Sequence, residues 1–113
     1  MAAKSPFSDF IHQWPHADIA FEGVEARLLA GEVGQAVFFC LPAGASVPPH
    51  SHGAQWGIVV QGELTLTIGG VARTYKKGDT YQIGDGEVHS GEITSDCWVI
   101  DVFADPGRYR ARE

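Results

Sequence analysis

The chain is short of cationic charge, of cysteine and of long apolar runs, and each shortage removes a class of function. Eight Lys and Arg stand against 14 Asp and Glu, for a formal net charge of −6. Binding nucleic-acid phosphates takes clustered cations, and the sequence clusters them only in the tail, at Arg108, Arg110 and Arg112, so no nucleic acid is expected as a partner. No stretch approaches the roughly 20 apolar residues of a membrane span, so no membrane is expected either and the protein should be soluble. Cys40 and Cys97 lie in the apolar runs Phe38-Phe39-Cys40-Leu41 and Cys97-Trp98-Val99-Ile100, where a thiol behaves as a small buried hydrophobe. Both are read as free core cysteines. With a polar, mixed stretch over residues 1–10, they point to a reducing cytoplasmic location. Internal repeats and low-complexity segments are absent too.

What remains is a chain of 113 residues, 44% hydrophobic, with 14 Gly and 6 Pro scattered among short runs rich in Val, Ile, Phe, Thr and Tyr. Its length suits one domain with its own core. Its pattern suits an all-β fold with many turns. Strand-like runs cover 23–31, 35–41, 55–61, 63–68, 71–75, 80–83, the segment holding His89, and 97–103, with Gly69-Gly70 as a hairpin turn. Leu64, Leu66 and Ile68 alternate with Glu63, Thr65 and Thr67, as in a half-buried strand. About eight or more antiparallel strands so closely spaced predict a jelly-roll barrel over residues 19–105, with an N-terminal arm at 1–18 and a C-terminal tail at 106–113. Residues 8–14 suit a short helical turn, or an arm laid over the barrel or over a partner subunit. His12 and His16 are spaced as ligands on a helix, but Pro15 interrupts the ladder that would align them.

The chemistry concentrates in residues 44–62. Side chains two apart on an extended strand share a face, so His50 and His52 aim the same way, a metal-ligand spacing. Gly53-Ala54 reads as a tight hairpin turn, which would set His52 opposite Gln55 and His50 opposite Gly57, leaving open space before His50. A second stretch, 78–89, runs from Gly78 through the Gly84-Asp85-Gly86 turn to His89. Gly91 shares the face of His89 and would also leave room.

These two stretches resemble the paired motifs of the cupins. Residues 44–62 follow the first, with His50 and His52 as its His-x-His, Gln55 where an acid is usual and Gly62 as its closing glycine. Residues 78–89 follow the second, with Gly84 in the place of a proline. The resemblance implies one divalent metal ion held by His50, His52, Gln55 and His89, and the donor set suits Zn, Fe, Ni, Mn or Cu. Gln55 brings no charge, so three imidazoles and an amide leave the ion's charge uncancelled and favour a small anionic substrate.

Asp101-Val102-Phe103 followed by Arg108 is similar to the small cupins of pectin and alginate breakdown that linearise unsaturated uronates. That likeness implies Asp101 as base, Phe103 against the sugar ring and Arg108 as clamp for the carboxylate. The loop from His52 to Gln55 is shorter than in that group, and Gly107 moves Arg108 one place along, with Arg110 a substitute. Asp101 sits in a strand apolar on both faces, where a lone carboxylate is expensive without a partner. The alternatives are a metal-dependent dioxygenase acting on a small organic acid and a non-catalytic ligand-binding cupin. Exposed sheet edges lead us to expect a homodimer.

Overall fold

The computed structural model describes residues 4–21 and 23–112. Among the described residues, nine strands follow a short 3-10 turn at Ile11–Gln13: β1 Glu25–Ala30, β2 Gln35–Leu41, β3 Ser46–His50, β4 Gln55–Gln61, β5 Glu63–Ile68, β6 Val71–Lys76, β7 Thr80–Ile83, β8 His89–Ile93 and β9 Cys97–Phe103. They form two antiparallel sheets, ordered β1-β2-β9-β4-β7 and β3-β8-β5-β6, the jelly-roll arrangement expected. Alternation decides the faces: Val37, Phe39 and Leu41 of β2, Val99 and Phe103 of β9 and Leu64 and Leu66 of β5 are all buried in one core, while Thr65 pairs with Thr74 across the exposed outer surface. The β5–β6 hairpin turns on Gly69 and Gly70, at φ 57° and 84°. Both lie in the left-handed region that glycine enters at least cost.

The hairpin expected at Gly53-Ala54 does not form. β3 pairs with β8 and β4 with β9 and β7, so the chain crosses between sheets here instead of doubling back. His50 lies in register with His89, and Gly57 with Tyr81 and Asp101. Local turn signals cannot tell a hairpin from a crossover, because what chooses between them is the partner strand supplied by distant sequence.

Register divides the interior into layers. In the five-stranded sheet, Gln55, Ile83 and Phe103 form the first, Gly57, Tyr81, Asp101 and Val37 the second, and Val59, Val99 and Phe39 the third. In the other sheet, starting from His50, His89 and Ile68, the next layer is Val47, Gly91 and Leu66, and then come Leu64 and Ile93. The outer face of the larger sheet is covered by the N-terminal segment, where Phe7 and Trp14 pack edge-on against Phe38 at 5.3 and 5.5 Å between ring centroids. The helical turn expected within 8–14 is this segment's 3-10 turn. The His12 ring meets Ser5 Oγ, and the backbone of His16 bridges that of Arg27. Cover is incomplete on β9: Trp98 is buried, but Val102 is 41% exposed. Cys40 is only half-buried and Cys97 is buried, and both are free thiols.

Candidate metal centre and its cavity

His50 ends β3, His52 follows in the crossover, and His89 opens β8. Their rings converge, with centroids 4.2 Å apart for His50 and His89, 4.7 Å for His52 and His89 and 5.3 Å for His50 and His52. One ring nitrogen from each lies within 4.8 Å of the others. Each Nδ1 faces a backbone carbonyl: Pro48 at 2.9 Å, Gly53 at 2.7 Å and Glu87 at 3.0 Å. A carbonyl only accepts, so all three Nδ1 atoms carry the proton and all three Nε2 lone pairs are left free. Such outer bonds fix the tautomer and orientation that ligation needs. Burial, reinforced by the Arg108 charge, lowers the pKa of His52 and of His89 below the usual histidine value, which favours the neutral, ligating form. The chemistry of the donor set therefore fits a divalent ion, with Gln55 as the neighbouring amide lining the same cavity.

Facing this group is a cavity of about 330 Å³, within the range of small-molecule sites. Asp101 lines it and is 6% exposed, so its strand turns the carboxylate inward. The Tyr81 hydroxyl donates to Asp101 Oδ1 at 2.6 Å. Burial raises the Asp101 pKa to about 6, while hydrogen bonds from Tyr81 and Gln55 pull the other way. Tyr81 itself is pushed well above the usual phenol value, first by burial and then by the neighbouring carboxylate. Gly57 makes this pair fit: a Cβ there would strike both Asp101 Oδ1 and the Tyr81 ring. The space that glycine provides thus serves the carboxylate, not His50. Gly91 likewise leaves no opening, since a Cβ there would lie 3.1 Å from Leu66 Cδ2.

Phe103 stands 5.5 Å from the His52 ring. Arg108 lines the cavity, its guanidinium 4.3 Å from the Tyr109 ring centroid and 5.7 Å from that of Phe103. Its Nε is the one buried side-chain nitrogen or oxygen among the described residues that lacks a hydrogen-bond partner. Arg110 is exposed and outside the cavity lining. Gln35 holds the tail that carries Arg108, donating from Nε2 to the carbonyls of Pro106 and Tyr109 at 2.7 Å each and accepting from the Tyr109 amide at 3.1 Å. Sequence reasoning missed Tyr81 and Gln35. The only signal for either was a polar group at a core-facing position of a strand.

The family model of the cupin domain matches residues 37–103. Among solved structures, KdgF from a Halomonas species is 27% identical, with a TM-score of 0.73 over 81% of this chain and 88% of that one. An RmlC-like cupin from Shewanella frigidimarina is 23% identical, with a TM-score of 0.76 over 93% and 94%. A predicted oxalate decarboxylase from Thermotoga maritima is 24% identical, with a TM-score of 0.69 over 80% and 91%. A search of curated proteins gives no match.

Proposed function

This chain belongs to the cupin domain family, and from that premise we propose that it is a metal-dependent enzyme that opens the ring of a small cyclic carboxylate, specifically an unsaturated uronate. One observation carries the reading: a buried carboxylate with its pKa raised to about 6 shares one cavity with three converging histidines and an arginine whose buried Nε lacks a partner. A base works best when its pKa lies near the working pH. Likeness to KdgF and to the uronate-linearising cupins supports the same choice.

When bound by His50, His52, His89 and Gln55, a divalent ion supplies an electrophile that stabilises charge on a substrate oxygen. Asp101 takes the proton from the hemiacetal hydroxyl. As the aldehyde forms, the ring C–O bond breaks and its electron pair stays on oxygen as an enolate, to whose carbon the Asp101 carboxyl returns the proton. Hydrogen bonds from Tyr81 and Gln55 hold the Asp101 carboxyl in place for this work. Arg108 binds the substrate carboxylate through its planar fork, and Phe103 lies against the ring. Protonation at carbon consumes the conjugated double bond, so unsaturated galacturonate or guluronate should lose ultraviolet absorbance when mixed with metal-loaded protein. An unchanged spectrum removes the uronate assignment, and oxygen uptake in its place favours a dioxygenase.

A further inference from the structure

Only the two layers of the cavity nearest the histidines carry polar side chains. Further in, it is walled by Phe39, Leu41, Leu64 and Val99, with Leu66 and, at the β3 edge, Val47 bordering that space from the second layer. A uronate carries hydroxyls around its whole ring. Hydroxyls set against this inner wall would lose their hydrogen bonds to water without replacement, which costs affinity. An apolar space of this kind instead stays dry and takes up apolar groups. We infer that this site also accepts a second class of acid, one with an apolar arm that lies in the inner barrel against Phe39, Leu64 and Val99 while its carboxylate stays with Arg108 at the histidine end. The inference rests on the proposal that a carboxylate binds there, and it adds amphipathic acids beside the uronate as ligands of the site.

The test is calorimetric titration of metal-loaded protein with straight-chain carboxylates from acetate to octanoate, and with glucuronate as the polar comparison. Each methylene buried should tighten binding about fourfold at one site per chain until the inner barrel is full, and hexanoate should bind more tightly than glucuronate. A flat series, or glucuronate as the tighter ligand, overturns the inference. Val47→Phe, which narrows the inner cavity from its edge, should end the gradient at a shorter chain, while a gradient as long as wild type's in the folded variant counts against the inference. If that variant does not fold, as its melting curve and metal content will show, the wild-type series decides alone. Turnover of unsaturated uronate is followed on the same preparation. Turnover with a flat series removes the apolar arm and leaves the ring-opening proposal standing. A gradient without turnover does the reverse.

Discussion

The five-stranded sheet is covered on its outer face over Phe38 of β2 as well as on its inner face, the four-stranded sheet on its inner face, and the site takes a different kind of group from each. The larger sheet has the core on one side and Phe7 and Trp14 over Phe38 on the other, and it presents Asp101, Gln55, Tyr81 and Phe103. The smaller sheet meets solvent with Thr65 and Thr74, Ser46 and Glu92, and Lys76 and Glu63. It presents His50 and His89 at one end, with their protons tied to their own backbone. Deep burial is needed to hold a carboxyl near pKa 6, whereas a ligand needs a lone pair fixed by an outer hydrogen bond, which His89, as buried as Asp101, has from Nδ1 to the Glu87 carbonyl. The sandwich thus brings both to one cavity.

The largest test of this division is His89→Ala, which should weaken metal binding by more than about a hundredfold, beyond the loss seen for outer partners of a ligand, as read by metal content after dialysis. Retained metal would mean the three histidines do not hold the ion.

Asp101→Asn comes next. It should lower turnover by about 10²–10⁴-fold, and it should separate the two regions by pH in the metal-free protein. The Asp101 pKa rises from 3.8 to about 6 on folding, so the folded state holds the extra proton. Its stabilising contribution is full below the unfolded value and falls as pH climbs between the two, by about 3 kcal/mol. His52 and His89 slope the other way, because their folded pKa values lie below the ordinary 6.5. Their contribution is present above that value and is lost as pH falls through it toward the folded pKa. Melting curves of the Asn variant should therefore keep only the slope that rises toward neutral pH, and the variant should be the more stable protein at pH 7. A profile identical to wild type would show that Asp101 is not held in the environment described.

Gly57→Ala should cost about 1–3 kcal/mol of stability by overpacking, since the added methyl strikes the Tyr81–Asp101 pair. A neutral result in denaturant titration would mean the second layer is loosely packed. Smallest is Trp14→Ala, which uncovers Phe38 and should cost about 1 kcal/mol through the lost aromatic contact. Removing the exposed Thr74 hydroxyl on the other sheet should cost less than about 0.5 kcal/mol.

Local pattern made most of the strands readable. Leu64, Leu66 and Ile68 announced one inner face, and Gly69-Gly70 announced its turn, because alternation and left-handed glycines act over a few residues. β9 was harder. Cys97 to Phe103 is apolar on both faces, and only the structure shows Asp101 inward beside Tyr81 and Val102 partly open to water. The three histidines were legible as a group through the two motifs. Their geometry was not, since the hairpin expected at Gly53-Ala54 is a crossover and His50 lies beside His89.

By itself the sequence determined the all-β class, the family motifs with His50, His52 and His89, and the want of a charge at Gln55, because these depend on residue type and short spacing. Tertiary structure alone decided that Gly57 makes room for a buried Tyr81–Asp101 pair and that Gln35 ties down the tail carrying Arg108. It also decided that the inner barrel is apolar while the histidine end is not. Those outcomes depend on which distant strands pair and in what register, and a shift of one residue would have turned every one of these side chains to the other face.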